Sequence, residues 1–545
     1  MSDAFTGQVK NAELAASVAK VAITLESVYG KTLEQTSTDS QGAYTLTELP
    51  DRGYITFSHP DYTDKTVALS QLKSITRLLG NHIVGYQNRL GYLPGDTVQA
   101  KVHSTEVFSA TLYRHGEKKE RLWQSKAISP HVQQVPDSYF VSTGLDWKTA
   151  ISYQIPERAE PGIYSLMLRA KSGKKPPFAI PMVVSTPPVK RGDSKCLVLC
   201  STNNWQTYNI WGGRSRYRNF EQDFTDDFMS NTGIVAELSS KVGDLLPNVV
   251  TSGINRFLGR EKNDPDWVFK PLSIRRPHTN CALENDDLYS PFTSHLANGE
   301  WRVLAWLERQ GIPFDIATGW ELHKNPDLLR HYDAIVLSTH SEYWSQAMFE
   351  GLKKYHRQRG LWLINLSGNS IYREVDFLED GSIRCLSTKF HRSVEDETQL
   401  IGVRFTESDY GTCASYQVER PNHWVFEKCS DISKKGVFGE DSLNRWTDPK
   451  TDRYDPGRPG VKSGLEGVGA SGWETDKRSA TAPNDFIRVA KGENRWGGAD
   501  MLVREPAGNR GGVFSASSIT FGGSLLIDDV CSNIVQHVLD RAISS

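Results

Sequence analysis

The sequence predicts a multidomain β plus α/β chain: two small antiparallel β-sandwiches, then a larger α/β domain on a parallel sheet. Three observations predict this. Residues 5–75 and 85–185 alternate apolar and polar residues between Gly, Pro and Asp punctuation, the period-two signature of half-buried strands. From Lys195 onward, apolar runs without alternation (CLVLC, DAIVLST, LWLINL) are separated by stretches of helical spacing. That is the pattern of parallel strands covered on both faces by helices. The chain has 545 residues, room for roughly two to four domains.

The first predicted domain covers residues 1–78, with strands in GQVKNA, VAITLES and GAYTLTELPDRGYITFSH. The segment around Asp39, Gly42, Tyr44 and Leu49 resembles the carboxypeptidase-regulatory-like family of β-sandwiches. It contains no catalytic constellation. The second domain, residues 79–190, reads the same way in GYLPGDTVQAKVHS, FSATLYRHG and PGIYSLMLRAKSG, and EPGIYSLML resembles the late strands of an immunoglobulin-like sandwich. The Pro-rich, charged stretch STPPVKRGDS at 185–194 reads as a linker. The third domain, residues 191–545, has predicted helices in SHLANGEWRVLAWLERQG and QAMFEGLKKYHRQRG, ending at Gly311 and Gly360. It closes with a strand in GGVFSASSITF and a helix in DDVCSNIVQHVLDRAI. Residues 218–290 and 380–500 read as insertions that the α/β core does not require. Such insertions usually build active-site walls or subunit contacts.

Composition narrows the function classes. The formal net charge of −2 favours neither nucleic acid nor an acidic membrane. The opening MSDAFTGQVK lacks the apolar stretch of a signal peptide. No apolar run approaches the roughly 20 residues that span a bilayer. The seven cysteines form no CxxC pair, which argues against a zinc ribbon or a disulfide framework and predicts a reduced, cytoplasmic setting.

In an open parallel sheet, ligands bind beyond the carboxyl ends of the strands. Here CLVLC is followed by STNNWQTYNIWGGRSRY, IVLST by HSEYWS, LWLINL by SGNSIY and VFSA by SSITFGG. Each end carries hydrogen-bonding or aromatic groups. If strand geometry persists past the IVLST run, His340 and Glu342 share one face. The competing reading makes His340 the cap of the next helix and Glu342 a neutraliser of its dipole. Tyr208 and Tyr217 flank WGG at another strand end. A buried tyrosine ordinarily needs only one hydrogen-bond partner. Yet two phenolates and one carboxylate would neutralise a trivalent ion, and hard oxygen donors favour Fe(III) over zinc.

The segments STNNWQTYNIWGGRSRY, ATGWELHKNPDLLRHYDAIVLSTHSEYWS, SGNSIY, GASGWETD and FSASSITFGGSL, in this order, resemble the N,N-dimethylformamidase large (beta) subunit family. The resemblance covers roughly residues 85–545. It implies a flavodoxin-like, glutamine-amidotransferase-like core. It also implies hydrolysis of small N-substituted formamides to formate and an amine, at a mononuclear iron held by two tyrosines and a glutamate. Carried over by position, the ligands would be Tyr208, Tyr217 at the end of the Gly-x-Ser-x-Tyr run, and Glu342. The remaining functional groups would be His340, Asn369, Lys389 and Glu474. Two departures leave substrate and subunit partnership open: a lectin-like insertion of that family is not found here, residues 5–75 standing instead as an extra sandwich, and the stretch 218–290 differs.

The expected chemistry has Glu474 as general base. His340 and Asn369 would orient substrate or stabilise the oxyanion. Lys389 would join them, pair with Glu474, or be a solvated surface lysine. Cysteine-nucleophile amidotransfer fits poorly. After LWLINL come Ser367, Gly368 and Asn369, with no cysteine, and Cys385 has no matching His-x-Glu downstream. A non-enzymatic carbohydrate- or protein-binding scaffold is the alternative from another class. The expected partner is a small amide, with no nucleic acid and no membrane; a homo-oligomer and a small second subunit are both open.

Overall fold

The computed structural model describes residues 4–543, apart from Glu48, 221–265, 285–286, 291–294, Thr388, 407–410, 430–431, 433–435 and 445–466. Large parts of the two predicted insertions lie outside the described residues. The protein is mostly β-sheet, arranged in several sandwich-like sheets, with few helices. At the N-terminus, strand Phe5–Asn11 lies between Ala43–Leu46 and Ile75–Leu78. It faces a four-stranded sheet ordered Thr32–Ser37, Ala22–Glu26, Tyr54–Ser58, Lys65–Ala68. Val9, Ile23, Leu25, Leu46, Ile55 and Phe57 are almost fully buried between the two sheets. They are the inward set of each alternation, which is why period two was legible.

A three-stranded and a five-stranded sheet follow, the latter centred on Phe108–His115 and Gly162–Ala170. The apolar interior of this second pair is not closed off. It continues from Val98, Leu112 and Leu166 to Leu197, Leu199, Ile335 and Leu337 of the next sheet. Burying these side chains against a neighbouring layer removes more apolar area from water than a sandwich of this size could alone.

That next sheet has nine strands. Five are parallel: β1 (Cys196–Cys200), β2 (Phe314–Thr318), β3 (Ala334–Thr339), β4 (Trp362–Ser367) and β5 (Val513–Ser515). Their spatial order is β2-β1-β3-β4-β5, and four antiparallel strands extend the β5 edge. DAIVLST and LWLINL are direct parallel neighbours, with Ala334 opposite Trp362 and Thr339 opposite Ser367. Leu197, Leu199, Ile335 and Leu337 face one side. Val198, Val336 and Ile364 face the other, against Trp301 and Leu304 and against Ile534 and Val538. Both faces are covered, so the sequence shows no alternation.

Helix α1 (Thr202–Thr207) follows β1 directly. Helix α2 (Ala297–Arg309) and the C-terminal α4 (Asp529–Ile543) cover one face. Helix α3 (Gln346–Arg359) is capped by the Ser345 hydroxyl, which accepts from the Met348 N–H at 3.3 Å, and ends at Gly360 with φ +75°. Neither His340 nor Glu342 caps it. The strand also does not persist to Glu342. β3 stops at Thr339, whose φ is +51°, and His340 N–H turns back to the Ser338 carbonyl. All seven cysteines are free and buried. No helix among the described residues is long and apolar enough to cross a membrane.

Candidate active site

The carboxyl ends of β1, β3 and β4 meet the GWETD loop at one buried cluster. Helix α1 is short and polar, yet all six of its residues are buried. Its asparagines explain this. Asn203 donates to the Tyr343 carbonyl at 2.8 Å, and Asn204 accepts from the Glu342 N–H at 3.3 Å. The helix therefore docks the HSEYW segment before delivering Tyr208. The Tyr208–Tyr217 loop then turns through Gly212 and Gly213, with φ of +94° and +87°. Arg276 is fully buried and donates to the carbonyls of Trp211 and Arg214 at 2.6 and 3.0 Å.

The result is convergence of three oxygen groups. The Tyr217 hydroxyl lies 2.6 and 2.7 Å from the two Glu342 carboxylate oxygens, and the Tyr208 hydroxyl lies 3.0 Å from Oε2. The two hydroxyls are 3.2 Å apart. Donors about 2 Å from one hard cation stand roughly 2.8–3.3 Å from each other, so these separations fit a shared ion. Among the described residues, no group of three or more His, Cys, Asp or Glu could hold a metal. The donor set that fits here is two phenols and one carboxylate, which suits a hard, highly charged ion.

Electrostatics marks the same cluster. Burial, then the Glu342 charge, pushes both the Tyr208 and Tyr217 hydroxyls well above their ordinary value, so without a cation the phenols hold their protons. Burial works to raise Glu342 too, but His340 and Arg373 overcome it and hold the carboxyl down to about 2. Arg373 Nε donates to Glu342 Oε1 at 2.7 Å. Burial works to lower His340, but the carboxylates of Glu342 and Glu474 raise it to about 9. Its Nε2 lies 3.5 Å from Glu342 Oε2 and 3.3 Å from Glu474 Oε2.

Glu474 comes from the GWETD loop. Asn369 Nδ2 donates to its Oε2 at 2.8 Å, while the buried Asn369 Oδ1 has no hydrogen-bond partner among the described residues. Asp476, fully buried, accepts from the N–H groups of Asn369 and Ser370 at 2.7 and 3.1 Å. It thereby ties the loop after β4 to the loop carrying Glu474. Gly368 is required for close approach: a Cβ there would overlap the Glu474 carbonyl oxygen. Thr339, Asn369, Ile371, Trp473 and Ser517 all have positive φ. Conformations that bulky residues avoid are concentrated at these strand ends, as is common where geometry serves a site.

Six of the seven sequence-predicted residues are thus brought together: Tyr208, Tyr217, Glu342, His340, Asn369 and Glu474. Lys389 stands further out, with its ammonium 4.2 Å from the centre of the Tyr372 ring. Tyr372 in turn donates its N–H to the Glu342 carbonyl at 2.9 Å. Sequence reasoning missed Arg373, Asp476, Asn204 and Arg276. Arg373 follows SGNSIY directly and Asp476 ends GWETD, so adjacency to those motifs was the available signal. His295 and Trp473 also border the cluster, with ring centres 4.5 Å apart, and His295 lies 4.9 Å from both Tyr208 and His340.

Comparison with known proteins gives matching results. Residues 109–533 match the family described as N,N-dimethylformamidase beta subunit-like, C-terminal. The chain is 23% identical over 456 residues to the N,N-dimethylformamidase beta subunit of Paracoccus aminophilus, covering 74% of this chain and 55% of that protein. It is 22% identical over 447 residues to the protein of the same name from an Alcaligenes species, covering 73% and 54%. The chain therefore spans about half the length of the curated relatives it matches. Among solved structures, the native conformation of E. coli alpha-2-macroglobulin matches 34% of this chain and 12% of its own, at 13% identity. The TM-score of that match is 0.14.

Proposed function

Since the chain belongs to the N,N-dimethylformamidase beta subunit-like family, we propose that it hydrolyses a small N-substituted formamide or related amide to a carboxylic acid and an amine. The observation that carries this reading is the convergence of Tyr208, Tyr217 and Glu342 oxygens beside Glu474. These three residues would hold a mononuclear Fe(III), balancing its charge with two phenolates and a carboxylate. When bound, that ion supplies Lewis acidity toward an amide carbonyl and a water.

The chain's own groups do the rest. Glu474 accepts a proton from the attacking water as the new C–O bond forms, then returns it to nitrogen as the C–N bond breaks. Asn369 Nδ2 fixes the Glu474 carboxylate, and its unpaired Oδ1 is an acceptor for a substrate or product N–H. His340 bridges Glu342 and Glu474, keeping the base and the ligand carboxylate in one register. Lys389, over Tyr372, supports the segment behind Glu342.

The order β2-β1-β3-β4-β5 supports a flavodoxin-like, glutamine-amidotransferase-like core for residues 191–545, after sandwiches at 1–78 and 79–190. The name beta subunit carried by both relatives supports assembly with a second kind of subunit. Seven free, buried cysteines support a reducing, cytoplasmic setting. The test is a screen of small formamides with iron-loaded protein, reading amine release. Turnover of at least one N-substituted formamide is expected. Iron-loaded protein that releases no amine from any of them would move the reading to a binding scaffold.

A further inference from the structure

The N-terminal sandwich lies outside the family match, which begins at residue 109, yet one of its turns touches the tyrosine loop. Strand Phe5–Asn11 ends in a tight turn. The Asn11 side-chain oxygen accepts from the N–H groups of Glu13 and Leu14 at 2.7 and 2.9 Å, and the Asn11 N–H donates to the Ala16 carbonyl at 2.7 Å. Asn11 Nδ2 is anchored on the Tyr62 hydroxyl at 3.2 Å. This turn presents the Glu13 carbonyl outward, and that single oxygen accepts from both Gly212 and Gly213 N–H, the latter at 2.9 Å. The packing is equally close. A Cβ on Gly213 would stand 2.7 Å from the Cβ of Ala15.

The loop makes hydrogen bonds of its own, among them Gly213 N–H to the Ile210 carbonyl at 2.9 Å and Arg216 N–H to the Thr207 carbonyl at 2.8 Å, but its two consecutive glycines at positive φ leave the backbone between the tyrosines loosely constrained. Tyr208 and Tyr217 are nine residues apart and must still meet one carboxylate. Further order is supplied from outside the loop. It arrives on two sides: Arg276 takes the carbonyls of Trp211 and Arg214, and Glu13 takes the N–H groups of Gly212 and Gly213.

We propose that the Asn11–Ala16 turn is a positioning element that holds the Tyr208–Tyr217 loop in the shape presenting both phenols to Glu342. Its consequence for iron rests on the function proposed above; its consequence for loop order does not.

The test uses full-length Asn11→Ala and Asn11→Asp. Asp keeps the acceptor for Glu13 and Leu14, while Ala removes it. Two readouts are taken: amide hydrogen exchange of the 208–217 peptide, and iron affinity with the tyrosinate-to-iron absorption band. In Asn11→Ala, exchange of that peptide is expected to quicken about tenfold and iron to bind about tenfold more weakly, with Asn11→Asp near the parent in both. Ala15→Gly guards against a folding failure. Ala15 has φ +57°, so glycine suits the turn, and only the methyl against Gly213 is lost. Its peptide exchange should rise while the melting temperature holds. Unchanged exchange at 208–217 in both Asn11→Ala and Ala15→Gly would overturn the proposal. Faster exchange in a protein whose parent binds no iron would leave the positioning role standing and sink the iron reading instead.

Discussion

Arg373→Met removes the guanidinium beside Glu342 and keeps most of the aliphatic bulk. Glu342 is 0% exposed and the Arg373 side chain 16%, with the two joined at 2.7 Å. Removing one partner of a desolvated pair typically costs about 3–5 kcal/mol. His340 remains near the same carboxylate, so the lower end applies to metal-free protein, about 3 kcal/mol. A trivalent ion on Glu342 would supply the missing countercharge. The iron-loaded variant should then lose only about one hydrogen bond, roughly 1 kcal/mol. The thermodynamic cycle converts the difference of about 2 kcal/mol into iron binding roughly 30-fold more tightly in the variant. Urea titrations of metal-free and loaded protein, together with an iron competition assay against a chelator, measure both sides of the cycle. Equal destabilisation in the two states, or weaker iron binding in Arg373→Met, would refute the reasoning: Arg373 would then be shaping the site, not competing with its cation.

Other consequences are as direct. Gly368→Ala forces a Cβ against the Glu474 backbone, so activity should fall about 10²-fold, the scale of a displacement near 1 Å, while iron content holds. Tyr208→Phe should lose iron and weaken the tyrosinate absorption in the same preparation, as read by metal analysis and a visible spectrum. Glu300, which accepts from the Ser201 N–H at 2.7 Å and the Trp205 indole at 2.9 Å, is raised by burial from 4.5 to about 8. Its folded form holds a proton that the unfolded chain releases, so its contribution is full below about pH 4.5 and declines as pH rises toward about 8. Glu300→Gln should flatten that decline in urea titrations across the window, and an unaltered slope would exclude Glu300 as its source.

Much of this was legible in the sequence, for identifiable reasons. CLVLC, AIVLST and LWLINL are buried on both faces, so their lack of alternation is a direct imprint of the sheet. The glutamate in HSEYW and the tyrosines around WGG lie at strand ends, where a parallel sheet places its ligands, but the family resemblance, not their spacing, singled them out as a ligand set. The route by which His340 and Glu342 meet was not legible. Strand parity was expected to align them, but positive φ at Thr339 ends the strand and a turn does so instead. Arg373 and Asp476 act through contacts with residues 31 and 107 positions away, which no local pattern records. The Glu13–Gly212 contact joins two parts of the chain that periodicity reads as unrelated.

The most direct measurement compares iron content and amine release in Glu342→Gln and Glu474→Gln, side by side with the parent. Glu342→Gln replaces an anionic ligand with a neutral amide, so iron and activity should disappear together. Glu474→Gln keeps the shape and removes the base, so iron should stay near one per chain while amine release falls about 10²–10⁴-fold. Full iron and full activity in Glu342→Gln, or normal hydrolysis in Glu474→Gln, would contradict the account.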